Sequence, residues 1–165
     1  MFREMRRSRQ ALPEAESLAI LERGSHGVLA VLGDEGYPYA VPLNYVYEDG
    51  KIYFHCARSG HKYDAVKACP RASFCVIDRS DVVPETYSTD YRSVIVFGEV
   101  SELTNEAEKR SAIERLALRF APDDSAEHRA AAIDGDWDAL CVLVLRIEHL
   151  SGKEAMALAK ARQGE

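Results

Sequence analysis

Apolar residues alternate along one short stretch of this chain: Tyr37, Tyr39, Val41, Leu43, Tyr45 and Tyr47 occupy every second position. That period of two predicts a strand with one buried face. Further β-rich apolar runs follow the same logic at His26 to Leu32, Lys51 to Cys56, Ala72 to Ile77, Tyr91 to Val100 and Ala139 to Ile147. Asp49-Gly50 reads as a tight turn joining the second and third of these six strands, and Gly33-Asp34-Glu35-Gly36 as another. Helical spacing appears elsewhere. Pro13 with Glu14 and Glu16 opens a helix that Gly24 ends. His61 leads into a short helix, Lys62 to Ala68, that Pro70 stops. Thr104 or Asn105 caps a helix carrying Ile113, Leu116, Ala117 and Phe120, and Asp123 to Ser125 caps a second one through Ile133. Asp78 to Asp90 is polar and contains Pro84, which predicts a long loop.

Strands joined mostly by hairpins, with helices at the ends and in one late insertion, predict a mainly β member of the α+β class, an antiparallel barrel. The expected organisation is one domain over residues 1–165, with an N-terminal arm at 1–12 and a helical insertion at 105–134. No glycine-rich dinucleotide loop or Walker-type loop is present.

Charge narrows the partners. A formal net charge of -6 over 165 residues argues against a nucleic-acid footprint. The basic cluster Arg3, Arg6, Arg7 and Arg9 reads as a solvated, poorly ordered terminus or as an arm reaching a partner or an anion. No apolar run is long enough to cross a membrane, so a soluble cytoplasmic protein is expected. The four cysteines lack metal-type spacing and read as small buried hydrophobes, and no metal site is expected.

Candidate chemistry gathers between Tyr37 and Lys62. Pro38 and Pro42 lack an N–H on one side of their strand, which suits either an edge strand or a gap that seats a ligand. Ser59-Gly60-His61-Lys62 offers helix N–H groups, a glycine and a cation, which suit a phosphate or an ordinary helix start. His55 shares a strand face with Tyr53 and reads as a packed histidine or as a group that donates to, or protonates, a substrate. Arg92 reads as a solvated or ion-paired strand end, Lys153-Glu154 as a charge pair beginning a helix, and Trp137 as a hydrophobic plug rather than a flavin stacker.

The run VPLNYVYEDGKIYFHCARSGHK, with YRSVIVFGEV and the late IEHLSGKE, resembles the nitroimidazole-resistance branch of the pyridoxamine 5′-phosphate oxidase-like flavoproteins, over roughly Ile20 to Glu154. The resemblance implies an antiparallel split β-barrel built as a homodimer, with FMN at the subunit interface. It implies that Ala40 to Tyr45, with Val41, Pro42, Leu43 and Asn44, lies along the flavin ring. His55 and Cys56 would stand beside it, and His61 and Lys62 would hold its phosphate. Arg92, Ser93 and Lys153 would contact the cofactor from other strands, and His55 would be the catalytic residue.

Two departures are visible. Leu150 stands where related chains often carry Trp, and the ending Ala161-Arg162-Gln163-Gly164-Glu165 lacks the arginine-bearing motifs of the true oxidases. The resulting expectation is an FMN-dependent oxidoreductase reducing a small acceptor such as a nitroaromatic, rather than a B6 vitamer oxidase. The alternative is a flavin- or haem-binding sensor or storage module, with His55 or His61 as a haem ligand.

Overall fold

The computed structural model describes residues 2–164. Seven antiparallel strands form one sheet in the order β2-β1-β5-β6-β7-β4-β3. They are β1 (His26–Leu32), β2 (Pro38–Asn44), β3 (Val46–Glu48), β4 (Lys51–Ala57), β5 (Arg71–Val83), β6 (Ser88–Glu102) and β7 (Leu140–Glu154). The helices are α1 (Glu14–Arg23), α2 (His61–Ala68), α3 (Glu106–Phe120), α4 (Ala126–Asp136) and α5 (Met156–Gln163).

The single strand expected from Tyr37 to Tyr47 is two. β2 pairs with β1 at one margin of the sheet, and β3 pairs with β4 at the other. The break falls at Tyr45, whose side chain is fully buried, packs edge-on against Phe74 and donates its hydroxyl to the Leu21 carbonyl at 2.9 Å. Continuous chain thus bridges the two margins and closes the sheet into a split barrel. Ile20, Leu21, Leu29, Phe54, Phe74 and Leu143 fill its interior, all with no exposed surface.

Three expectations change. Asp78 to Asp90 is not a loop: β5 and β6 run on past a bulge after Ile77 to a tight turn at Pro84–Thr86. Polar residues suit this ribbon because both of its faces meet water, and Arg79 pairs with Asp81 on its own strand and with Asp90 across it. The last strand continues to Glu154 through a second bulge opposite Phe97/Gly98, so Lys153 and Glu154 belong to a strand and not to a helix start. The arm is packed, too. Ala11 bridges Lys153, Leu12 is buried, and Phe2 stacks on His149 at 4.6 Å.

The turn and cap chemistry follows the sequence. Asp49 and Gly50 both take positive φ, as a two-residue hairpin turn requires. Asn105 accepts from the Ala107 and Glu108 amides, and Ser125 accepts from His128.

Helices α3 and α4 lie on the outside of the barrel. Their apolar residues Ala112, Ile113, Leu116 and Ile133 pack against Tyr53, Val142 and Val144, the outward residues of β4 and β7. Lys109 pins the pair. Its buried ammonium donates to the Trp137 carbonyl at 2.9 Å and lies 3.9 Å from that ring's centre, while the indole N–H donates to Glu106. Trp137 therefore serves as the plug expected of it. No described helix is long and apolar enough to cross a membrane, and the described residues hold no metal-binding cluster.

Candidate functional site

β2 is an edge strand whose ladder with β1 is unbroken, pairing Val28 with Pro42 and Leu32 with Pro38. Of the two readings of the prolines, a gap beside the neighbouring strand is thus absent. The Gly33 amide donates to the Tyr37 carbonyl, and the Tyr45 amide to Ser25, so odd-numbered residues of β2 make the ladder bonds. Even-numbered residues then turn their backbone groups to the open edge. Pro38 and Pro42 fall there, where a missing N–H costs nothing. The edge offers the Ala40 and Asn44 amides and carbonyls and the Pro42 carbonyl. Val41 and Leu43 point inward against the core, their backbone already paired, so they hold the edge in place and do not present it.

His55 stands on β4 directly opposite Val142, on the outer face beneath α3 and α4. It lines an open cleft of about 460 Å³, with Asn44 and Leu140 from the barrel and Ile113, Leu116, Phe120 and Ile133 among the helix residues. Its ring makes no hydrogen bond or ion pair among the described residues. Crowding by protein and the positive charge of Lys62 both push its pKa below the ordinary value, in that order of weight. The shift favours the neutral imidazole, which has one nitrogen to donate and one to accept.

Lys62, at the start of α2, has no carboxylate partner among the described residues. Gly60 before it has φ +100°, and nothing lies within 4 Å of where a side chain would begin. This is backbone that glycine adopts and that leaves open space at the helix N-terminus. His61 is engaged elsewhere: its ring stacks on Tyr39 at 4.1 Å and accepts the Asp34 amide at 3.4 Å.

Cys56 lies opposite Cys141 on the inner face of β4 and β7. A hydrogen bond between the two thiols lowers the pKa of Cys56; the same bond, with burial, holds Cys141 protonated. Cys56, Cys69 and Cys75 are each partly exposed, so of the four expected buried hydrophobes Cys141 alone is fully buried.

A family model described as pyridoxamine 5′-phosphate oxidase matches residues 13–154. The chain belongs to the pyridoxamine 5′-phosphate oxidase family. No protein of curated function matches it. Among solved structures it is similar to a protein provisionally assigned to 5-nitroimidazole antibiotic resistance from Bacteroides thetaiotaomicron, at 20% identity and TM-score 0.74, over 87% of this chain and 86% of that one. An FAD-binding protein from Mesorhizobium loti is similar at 24% identity and TM-score 0.65, over 88% and 97%. So is an FAD- and haem-binding protein from Mycobacterium smegmatis, at 18% identity and TM-score 0.68, over 89% and 73%. At these identities the likeness establishes the split barrel that the family shares.

The remaining family-implied positions lie apart from His55. Arg92 is locked into ion pairs, donating to the fully buried Glu154 at 3.1 Å and lying 3.7 Å from Asp78, so its ion-paired reading holds. Arg162 takes the other Glu154 oxygen at 2.7 Å and the Ala11 carbonyl at 3.2 Å. Ser93 pairs with Lys153 across β6 and β7. Lys153 is eleven residues along β7 from Val142, the neighbour of His55. That is roughly 35 Å of strand.

Sequence reasoning missed the helix-borne wall of the cleft. Ile113, Leu116 and Phe120 were visible as a stripe, and a stripe predicts burial without saying that part of it faces a cavity. It also missed the Glu154 clamp, whose arginines are 62 residues before and 8 residues after it.

Proposed function

We propose that this chain binds FMN between two copies of itself and works as an oxidoreductase of the nitroimidazole-resistance type, reducing a small acceptor such as a nitroaromatic. The observation that carries the reading is the unpartnered His55 ring, which shares a cleft with Asn44 of the open strand edge and lies near enough to the unpaired Lys62 to feel its charge. These residues suit a flavin mononucleotide. The Ala40, Pro42 and Asn44 backbone groups supply the alternating donors and acceptors that the polar edge of a flavin ring needs. Lys62 and the α2 amides, entered over Gly60, suit its phosphate. His61 and Arg92 are already partnered and take no part in this reading.

A bound flavin would supply the two-electron chemistry. The chain's part is to hold and to polarise. The edge of β2 fixes the ring's orientation, Lys62 anchors the far end, and His55 donates a hydrogen bond to an acceptor oxygen from its N–H nitrogen. Because its pKa is depressed, His55 polarises as a neutral donor.

Two features support the second copy. Ser93 and Lys153 are too far along the sheet to reach a ligand beside His55 of their own chain, and they gain a role if a partner's ligand meets them. The outer face beside Ser93 is also apolar and bare, with Ile77, its partner across the ladder, 62% exposed and Ile95 39%. A patch of this kind marks a protein interface.

Purified protein is expected to be yellow with a flavin spectrum, and Lys62→Ala to weaken FMN binding about tenfold, as loss of one charge-assisted phosphate contact does. Colourless protein that ignores added FMN would overturn the reading. The haem alternative narrows to His55, since the His61 ring is occupied. A Soret band on haem titration that His55→Ala abolishes, with no flavin uptake, would favour it.

A further inference from the structure

We infer that the cleft between the barrel and the α3–α4 pair is the seat of the acceptor, and that it selects an uncharged aromatic ring and rejects anions. The inference rests on the flavin reading above and gives that site its substrate class. Three observations carry it.

The cleft is about 460 Å³, within the range of small-molecule sites, and its walls are mostly aliphatic and aromatic. Leu116 and Ile133 are buried parts of its wall and Phe120 an exposed one, so what enters must surrender its hydration to carbon. Its polar groups are few: among its lining residues only His55, Asn44 and Asp136 carry polar side chains. Such an arrangement buries an apolar ring and meets one polar substituent at its edge.

Charge then decides between ring classes. No lysine or arginine lines the cleft, while Asp136 does. An anionic ring would leave water for an apolar slot lined by a like charge, and the nearby cation, Lys62, is taken up by the flavin phosphate in the reading above. A neutral ring bearing an oxygen substituent meets no such cost and can accept from His55. The helices make this specificity tunable without touching the flavin contacts, because β2 and Lys62 lie outside them.

Trp137, the single tryptophan, follows Asp136 and packs in the same cluster as Ile133 and Leu140, so it reports on this cleft. The test titrates full-length protein, with and without FMN, using 4-nitrobenzyl alcohol and its anionic counterpart 4-nitrobenzoate, both of which quench indole fluorescence. Saturable quenching by the alcohol in the presence of FMN is expected. Ala117→Leu, which fills the cleft from α3, should weaken it about tenfold or more. Asp136→Asn should tighten 4-nitrobenzoate roughly fivefold and leave the alcohol unchanged.

Unchanged alcohol affinity in Ala117→Leu, with normal FMN uptake, would overturn the cleft assignment and leave the flavin reading intact. Abolition of quenching by FMN would also overturn it, since the cleft would then be the flavin's own seat. Saturable quenching that Ala117→Leu weakens, in protein that never takes up FMN, would uphold the ring site and overturn the flavin reading instead.

Discussion

The outside of this barrel has two halves. Over β4 and β7 the outward residues Tyr53, Val142 and Val144 are buried because α3 and α4 cover them. Over β1, β5 and β6 the outward residues Val28, Leu32, Ile77 and Ile95 are uncovered, and Phe97 meets the Phe2 ring of the arm. Both halves come from strands with the same inward face, and both present carbon to the outside. The difference lies in who supplies the cover. An insertion in the chain covers one half and leaves a slot with a histidine in it. The other half keeps a flatter apolar surface of the kind that a second copy can cover.

The contrast can be tested by matched substitutions. Leu116→Ala removes a buried side chain that α3 places over the covered half, and should cost about 3 kcal/mol of folding stability in urea denaturation. On the bare half, Ile95→Asp should cost less than about 1 kcal/mol in the same assay, because that side chain is already 39% exposed in the single chain. Its larger effect should be on assembly: sedimentation is expected to show a dimer becoming a monomer, with FMN retention falling in step. An Ile95→Asp protein that remains dimeric would erase the distinction between the halves.

The smallest expected effect is a dependence on pH at the covered half. His55 titrates below its ordinary value in the folded chain, so between that lowered value and about 6.5 the unfolded chain binds more protons. Stability contributed by neutral His55 is present above about 6.5 and lost as pH falls through that window. Thermal melts of His55→Asn should show a shallower loss over the same window. Equal slopes in the two proteins would mean that the ring is not held neutral by its surroundings.

Much of the barrel was legible because alternation is a local signal. β1, β4 and both tight turns follow from residues within a few positions of one another. The extension of β5 and β6 through Asp78 to Asp90 was not legible. A two-stranded ribbon wet on both faces carries no apolar alternation, and its ion pairs become visible only once the strands are in register. The candidate site divides in the same way. His55 and Lys62 could be singled out from their own segment. Arg92 could not be assigned, since whether it meets a ligand or a carboxylate depends on Glu154, brought to it by the β6–β7 pairing. His61 was drawn toward a phosphate by its neighbours in sequence, whereas in space its neighbours are Tyr39 and Asp34. The prolines of β2 identified an edge, and which backbone groups it leaves open became clear only from the register with β1.

Tyr45 joins these themes. Because one continuous segment forms β2 at one margin of the sheet and β3 at the other, neither can slide without dragging its sibling. A slip of one residue would turn Asn44 inward and pull the Tyr45 ring from beside Phe74. The buried hydroxyl on the Leu21 carbonyl is thus a datum point from which the positions of Ala40, Pro42 and Asn44 are measured against His55 on the opposite margin. Precision at the site is set by a residue that never faces it.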